Sequence, residues 1–592
     1  MMKKILNLAI ALLVLHGSLL AQGAMGELKG TVTDDKGEPV PFANVVLMKD
    51  GVQVRGESTN FEGQYWMKAV PAGKYELHIT SLGLTKQVRP ITVESGGNIT
   101  FVDAQLKAES QLLGPVDFVE ELDPLIKKDE TMVRTTISRE DILKLPSRSP
   151  LSAVTTVGGV FSRDGEVGNI RGARSGATVF IDGVKIRGGS GSLPQQAVEE
   201  TQVILGGVPA MYGDATGGII LLTTRGISPK WFGNIEGRTS KFLDNWDDAL
   251  FSAAVGGPLI KRTAPGTNNK VPMVGFLGTV EGNYRGDPSP VAGDIWRIRE
   301  DVLRDLRENP IRLSETGTGS RLNAEYLRRD AFETISQRQN VASSSLNFQA
   351  KFDVLASDYT TISAGGFVNL GRQRGGRDGT TYNYSLFNWE NNAESTNFTW
   401  NVWGRVVHRF KDEAPDSTKK GGLRNAVVSL QIDYLKGLGS TQDATHKDNF
   451  FNYGYVGRFD ILRRPVYPSF GLDPKTNMSG WLYGGMQDTL VTFQPGDLNP
   501  TSSAITNQYF TLFDDPIGVY DQLPNIINGG GLLNGQNPRS VYNLWSHPGT
   551  QFNGYSLSDN SQFRVVGQGS ASIGDHDFQI GFEFEQRNDA FY

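Results

Sequence analysis

The stretch of the sequence that most resembles a binding motif is glycine-rich: LGGVPAMYGDATGGIILLTTRG, at residues 205–226. Glycine-rich loops beside strands can hold phosphate groups with backbone N–H donors. A Walker loop, however, needs G-x-x-x-x-G-K-[ST], and a dinucleotide loop needs G-x-G-x-x-G followed by a helix. The spacing here fits neither, and a strand follows it, so we predict tight turns and close backbone packing instead of a nucleotide site. The glycines are Gly206, Gly207, Gly213, Gly217, Gly218 and Gly226.

Residue types that ligate metals or act as nucleophiles form no recognisable site in the sequence. The chain has no cysteine, which excludes disulfides and thiolate sites. It has six histidines, none close enough in sequence to another to make a ligand pair on one helix. Isolated Asp and Glu residues abound, but no spacing pairs them for acid–base chemistry. We therefore expect no enzymatic activity, no metal and no cofactor.

Composition and charge narrow the class of protein. With 592 residues the chain is long enough for several domains, and 70 glycines with 10% aromatic residues favour an all-β protein. The net charge of −6 offers no general attraction for nucleic acid, so no nucleic-acid partner is expected.

The first 24 residues are predicted to be a secretory signal peptide. Lys3 and Lys4 precede an apolar run over residues 5–20, and small residues follow at Ala21 and Ala24. No later stretch approaches the ~20 consecutive apolar residues of a membrane-spanning helix. A secreted chain can still cross a membrane as strands.

Residues 25–108 contain about seven short strands separated by Gly, Pro and Asp turns, which predicts a small β-sandwich. The pattern G-x-V-x-D-x-x-G-x-P-V-P-x-A-N-V, followed by F-x-G-x-Y and P-x-G-x-Y-x-L, resembles the carboxypeptidase regulatory-like domain. The resemblance implies a transthyretin-like sandwich. It implies no peptidase chemistry, since clustered zinc ligands are missing from the sequence.

Residues 136–228 carry four spaced motifs between a linker, residues 109–135, and the strands that follow. They are NIRG, TVFIDGV, EETQVILGGVPAMYG and TGGIILLTTR. This ordered series resembles the plug domain of TonB-dependent outer-membrane receptors, a mixed α/β fold. The plug-motif residues are Arg171, Gly172, Asp182, Gly183, Gly206, Gly207, Tyr212, Gly213, Gly217 and Gly218.

Residues 229–592 alternate apolar and polar side chains with a period of two, most clearly at 346–354, 428–434 and 578–585. Segments of ~9–11 residues, joined by alternately short turns and long polar loops, are typical of an antiparallel transmembrane β-barrel. A soluble β-sandwich would alternate in the same way. About ten or twelve strands are expected here against the ~22 of a plugged transporter, which favours part of a barrel over a smaller closed one.

The resemblance implies active import across the outer membrane of a Gram-negative bacterium. The ligand of such receptors is a scarce nutrient such as a metal chelate, glycan, peptide or cobalamin. TonB, working with ExbB and ExbD, pairs as a strand with a short box ahead of the plug and passes on proton-gradient energy. By position we place that box at Leu113, Gly114, Pro115, Val116, Asp117, Phe118 and Val119.

Several plug residues have two interpretations at this stage. Arg171 and Arg174 either pair with acids of the barrel wall or are solvated. Asp182 and Gly183 are expected to form a turn, with the aspartate bonding its own backbone. The loop containing Arg187, Ser190 and Ser192 either reaches toward ligand or is a connector. Eight aromatics form either a membrane-interface girdle or a ligand-contacting loop: Tyr382, Tyr384, Phe387, Trp389, Phe450, Phe451, Tyr453 and Tyr455.

Two other classes of protein remain open. One is a non-transporting surface barrel, an adhesin or assembly scaffold. The other is a secreted, soluble carbohydrate-binding protein of serial β-domains. The sequence also lacks the P-L-Y-V-V-D-G form of starch-utilisation-type receptors, which weakens the expectation of a surface lipoprotein partner without removing it.

Overall fold

The computed structural model describes residues 25–592 except 83, 97, 108–132, 146–148, 164–165, 173–176, 188–192, 214–216, 264–269, 318, 376–383, 411–422, 514–521 and 574–575. The predicted signal peptide and the predicted TonB box lie outside the described residues. So do Arg174, Ser190, Ser192 and Tyr382. The described chain is mostly β, as predicted. No helix within the described ranges is long and apolar enough to cross a membrane.

The N-terminal unit is the predicted sandwich. One sheet has the order β4-β1-β7 with β8 also paired to β1, and the other has the order β3-β2-β5-β6. Leu28, Met67 and Leu77 are fully buried between the sheets, because alternate residues of each strand point inward. The strands are β1 (Met25–Thr33), β2 (Asn44–Lys49), β3 (Val52–Ser58), β4 (Gln64–Pro71), β5 (Gly73–Thr80), β6 (Gln87–Val93), β7 (Ile99–Phe101) and β8 (Ala104–Gln105).

The second unit, which we call the plug, is built on a five-stranded sheet of order β13-β12-β15-β14-β9. Its central strand β15 is buried at every residue, as the unbroken apolar run Ile-Ile-Leu-Leu requires. Its elements are β9 (Val133–Ser138), α1 (Arg139–Lys144), α2 (Pro150–Ala153), β10 (Val160–Arg163), β11 (Glu166–Ile170), β12 (Thr178–Ile181), β13 (Val184–Ile186), β14 (Val198–Gly206) and β15 (Ile219–Thr224).

The third unit is a nine-stranded antiparallel sheet of order β16-β17-β18-β23-β24-β25-β26-β31-β32. From β17 onward its strands have 13 to 20 residues. They are longer than the expected ~9–11 residues. Its strands are β16 (Phe232–Thr239), β17 (Ala249–Thr263), β18 (Lys270–Arg285), β23 (Ser343–Leu355), β24 (Thr360–Arg374), β25 (Glu394–Arg409), β26 (Leu423–Gln442), β31 (Ser556–Ile573) and β32 (His576–Phe591).

The connections of this sheet are short at one end and long at the other, as predicted. The long loops span residues 286–342, 375–393 and 443–555, and they fold into small apolar clusters of their own. Their elements are β19 (Ile295–Ile298), α3 (Glu300–Glu308), β20 (Ile311–Leu313), β21 (Ser320–Leu322), β22 (Phe332–Ile335), β27 (Gly457–Val466), β28 (Ser469–Leu472), β29 (Ser479–Leu482), β30 (Gly485–Pro495), α4 (Pro500–Leu512) and α5 (Leu523–Asn528).

The two faces of the nine-stranded sheet have an inverted polarity. On β23 the apolar side chains Phe348 and Phe352 are each 47% exposed, whereas Lys351 and Asp353 are only 6% and 8% exposed. Strand β26 repeats the pattern, with an exposed Ile432 beside a buried Asp433. The polar face is the one against which the plug packs. Water outside the sheet would favour the opposite arrangement.

Candidate functional site: the contact between plug and sheet

The plug reaches the polar face of the sheet with the tip of the β12–β13 hairpin. Ile181 pairs with Val184, and the two residues between them, Asp182 and Gly183, have φ values of 48° and 84°. Positive φ at both positions is the type I′ turn that an Asp-Gly pair favours. The turn was therefore predictable from the sequence.

The sequence predicted that the Asp182 carboxylate would accept a hydrogen bond from the backbone of its own turn, but the buried carboxylate bonds Thr224 instead. It accepts hydrogen bonds from the backbone N of Thr224 at 2.9 Å and from the Thr224 hydroxyl at 2.6 Å. Strand β15 runs parallel beside β12 and ends next to the turn, so the donors of Thr224 lie within reach. The carboxylate thus ties the tip to the centre of the plug sheet.

Charged side chains of the wall surround this tip. Lys351 Nζ lies 3.8 Å from an Asp182 carboxylate oxygen and donates to the Thr224 hydroxyl at 3.2 Å. Arg564 donates to the Gly183 carbonyl and pairs with Asp433 at 3.1 Å, where both side chains are almost completely buried. Buried charges are tolerated only when they are paired and hydrogen-bonded, so tip and wall depend on each other.

Two further ion pairs join the wall to β13 and to the residue that follows it. Lys185 lies 3.4 Å from Glu585, and Arg187 makes a bidentate pair with Asp589 at 2.7 and 2.9 Å. The hydrogen bonds to Asp589 raise the pKa of Arg187. Arg187 was considered as a ligand contact, but here its guanidinium is held by the wall. The other two residues of that prediction, Ser190 and Ser192, lie outside the described residues.

Within the described ranges, no acid of the wall lies within ion-pair distance of Arg171. It occupies a left-handed turn with φ of 49°, its side chain is exposed, and Nη1 lies 2.8 Å from where a Cβ on Gly206 would sit. Gly218 is constrained more strongly. Its φ is 87°, and a Cβ there would lie 2.9 Å from Ile170 and 3.0 Å from the Ile204 carbonyl. These contacts are the close backbone packing that the glycine stretch predicted.

The remaining plug-motif residues take part in packing and in turns. Tyr212 packs on Phe180 with ring centroids 5.4 Å apart, and burial raises the pKa of its hydroxyl to about 12. Gly172 and Gly207 adopt positive φ, at 75° and 66°. Gly217 is buried, whereas a Cβ on Gly213 would meet open space.

Seven of the eight aromatic residues considered for a membrane girdle or a ligand-contacting loop are described by the structure. All seven lie on loops, outside the strands. Tyr384, Phe387 and Trp389 are buried, the latter two in a loop cluster with Ile298 and Leu303. The aromatics of residues 450–455 also lie outside the sheet strands. The girdle interpretation, which applied to residues on strands, therefore does not hold for the described members of this group. Phe450 and Phe451 are 45% and 97% exposed on their loop, unlike the buried aromatics of residues 384–389.

A polar chamber of about 560 Å³ opens on the same face of the sheet, toward the long loops. Phe591, which lines the chamber, is two residues after Asp589 on β32 and therefore lies on the same face of the sheet. Sequence inspection missed it, because the lining residues come from strands far apart in the chain and only the pairing register aligns them. The lining includes Asn283, Arg285, Ser345, Gln373, Asn397 and Ser558.

Two family models match the chain. The carboxypeptidase regulatory-like domain matches residues 27–107, and the TonB-dependent receptor plug domain matches residues 126–219. No curated protein matches.

Solved structures resemble the chain at low identity. The ferric-catecholate import receptor Fiu from E. coli K12 is 12% identical with a TM-score of 0.36, covering 78% of this chain and 60% of Fiu. The siderophore receptor PirA from Acinetobacter baumannii is 14% identical with a TM-score of 0.32, covering 77% of this chain and 57% of PirA. Catechol 1,2-dioxygenase from Acinetobacter sp. ADP1 is 16% identical with a TM-score of 0.14, covering 17% of this chain and 59% of the enzyme.

The chain therefore spans about six tenths of the length of the receptors it resembles. The first match covers the sandwich and the second covers most of the plug, in the same order along the chain. On these matches the chain carries a carboxypeptidase regulatory-like domain followed by a TonB-dependent receptor plug domain.

Proposed function

We propose that the protein is an outer-membrane importer that binds a nutrient on the long-loop side and admits it when TonB pulls on the plug. The nutrient belongs to the classes that such receptors take up: metal chelates, glycans, peptides or cobalamins. The chain is a transporter and not an enzyme. The sandwich and the TonB box face the periplasm, and ExbB and ExbD supply the energy through TonB.

The inverted polarity of the nine-stranded sheet carries this proposal. An apolar face that stays exposed is stable against lipid, and a buried polar face can line a path for a polar solute. The plug fills that face, and its tip is held mainly by ion pairs and hydrogen bonds. Such contacts exchange for water at a small net cost, so the plug can leave the wall and return.

The chamber supports a ligand site above the plug. Its lining is rich in hydroxyl and amide groups and includes Arg285. These groups can replace the water around a polar ligand through many hydrogen bonds. We propose that a surface lipoprotein covers the chamber as a partner of the receptor.

Deletion of residues 113–119 tests the coupling to TonB. Cells carrying the deletion are grown on single sources drawn from the four nutrient classes, with surface display checked by antibody. We expect wild-type cells to grow on one source and the deletion to abolish that growth while display persists. A deletion of residues 120–125, which lies between the predicted box and the start of the plug match at residue 126, is the control and is expected to grow.

Two outcomes would contradict the importer. Unchanged growth of the residue 113–119 deletion on every source would favour the adhesin or scaffold. Recovery of the wild-type chain in the soluble fraction without detergent would favour the secreted carbohydrate-binding protein.

A further inference from the structure

The N-terminal sandwich is joined to the plug through a small buried polar interface. The sandwich contributes the loop between β6 and β7, described at residues 94–96 and 98, which we call the clamp loop. The plug contributes strands β9, β14 and β15. Nothing in the sequence indicated this contact, because Ser95 lies 105 positions from Glu200 and 128 positions from Thr223.

The clamp loop is hydrogen-bonded to two neighbouring strands of the plug. Ser95 N donates to a Glu200 carboxylate oxygen at 2.8 Å, and the Ser95 and Thr223 hydroxyls are hydrogen-bonded at 2.8 Å. Asn98 donates to the Gln202 side-chain oxygen at 3.3 Å. All five residues are buried, so each side supplies partners that the other would otherwise lack.

The same loop holds the first strand of the plug. Glu94 pairs with Arg134 of β9 at 2.9 Å, and the two side chains are only 10% and 6% exposed. Strand β9 is the edge strand of the plug sheet and pairs only with β14 among the described strands. An edge strand separates from a sheet more easily than a central one. The buried pair therefore holds one of the two edge strands of the plug sheet.

The position of the linker gives this contact a mechanical consequence. Residues 108–132 join the end of the sandwich to Val133, the first residue of β9. A pull on any point of that linker acts on the sandwich at one end and on β9 at the other. The clamp loop holds these two ends together.

We propose that the sandwich is a clamp that keeps β9 and β14 in the closed plug and must release them before the plug moves. The source of the pull rests on the proposed function, whereas the clamp itself does not. Breaking the Glu94–Arg134 pair is expected to loosen β9 first, since it removes a buried ion pair that joins β9 to the clamp loop.

Hydrogen–deuterium exchange of the purified full chain in detergent, without ligand, tests the clamp. We expect Glu94→Gln to accelerate exchange in Val133–Ser138 by about tenfold or more. Lys74→Gln is the matched control, because Lys74 and Glu140 also join sandwich and plug at 3.1 Å but are 63% and 50% exposed. This control should change the exchange rate by less than about twofold.

A second variant holds the clamp shut. The natural sequence has no cysteine, so Ser95→Cys with Thr223→Cys introduces a unique pair where the hydroxyls now touch. We expect oxidation to join them, to slow exchange in β9 below the wild-type rate, and reduction to reverse this. Unchanged exchange in strands β24 and β25 shows that each variant is folded.

The clamp is overturned if Glu94→Gln exchanges like wild type in β9, or if the oxidised cysteine pair does not form in the folded chain. Neither result depends on uptake. Failure of the importer would instead appear as growth of the residue 113–119 deletion, with the exchange differences intact.

Discussion

The N-terminal sandwich and the nine-stranded sheet are both made of alternating strands, yet they bury opposite halves of the alternation. In the sandwich, Leu47 and Leu77 are fully buried. In the sheet, Phe348 and Phe352 are exposed while the neighbouring Lys351 is buried. Alternation shows that a strand has two different faces. Which face turns outward depends on what surrounds the strand, water for one region and, on our proposal, lipid for the other.

The plug contacts both of these regions through polar groups. The sheet presents Lys351, Asp433 and Arg564, and the sandwich presents Glu94 and Ser95. Apolar wall residues also contact the plug core, at Phe367, Trp403 and Leu435. A mixed contact of this kind can hold a domain firmly and still allow it to separate, because water can take over the polar part.

The largest effect is expected from the buried pair in the sheet. Arg564→Met leaves Asp433 buried without its cation and should destabilise the contact between plug and wall by about 3–5 kcal/mol. The readout is the denaturant midpoint with hydrogen exchange in β12 and β13. Adding Asp433→Leu should recover part of the loss, since it removes the unpaired charge, whereas the hydrogen bond to Gly183 and the pair with Glu583 stay lost. No recovery in the double variant would contradict this account.

Introducing arginine at one exposed position of the sheet and at one of the sandwich tests whether the two exposed surfaces meet different solvents. Phe348→Arg should cost about 2–4 kcal/mol in lipid vesicles, because it places a charge on the lipid face. Val54→Arg on the sandwich, also exposed, should change stability by about 0.5 kcal/mol or less. Denaturant unfolding in vesicles measures both. Equal costs would mean that the two exposed surfaces meet the same solvent.

The sandwich contact should weaken as pH rises. Burial raises the pKa of Glu200 from its ordinary value near 4.5 to about 7. The buried form therefore binds a proton more tightly, so this contribution is complete below pH ~4.5 and is lost as pH rises through ~7. Glu94, Glu199 and Arg134 face the same region and keep ion-pair partners in the described structure.

Exchange in β14, corrected for intrinsic rates and compared between pH 5 and pH 8, measures this dependence. Glu200→Gln should flatten it, because the amide does not titrate. A wild-type profile without pH dependence would contradict the assignment to Glu200.

The smallest effect is expected at the partly exposed pair near the chamber. Arg187→Ala should lower stability by no more than about 1 kcal/mol, because Arg187 and Asp589 are each about a third exposed and screened by water. Thermal unfolding at low and high salt measures it. A difference between wild type and variant that persists in high salt would show that the pair is more deeply buried than the structure describes.

Local features were accessible from sequence because they depend on near neighbours. The Asp182-Gly183 turn, the apolar strand of residues 219–224 and the two faces of the sheet strands follow from residue type and period. The sequence left two interpretations open for the aromatics of residues 384–389, because whether an aromatic lies on a strand or in a folded loop depends on distant packing partners.

By itself the sequence determined the kind and order of the folded units, the turns, and which side chains share a strand face, since these depend on φ preferences and on the twofold period of a strand. Only the tertiary structure decided the partners: Arg187 with Asp589, Arg564 with Gly183, and Ser95 with Glu200. Each pair joins residues a hundred or more positions apart. Their contact is set by strand register and domain docking, which no local pattern encodes.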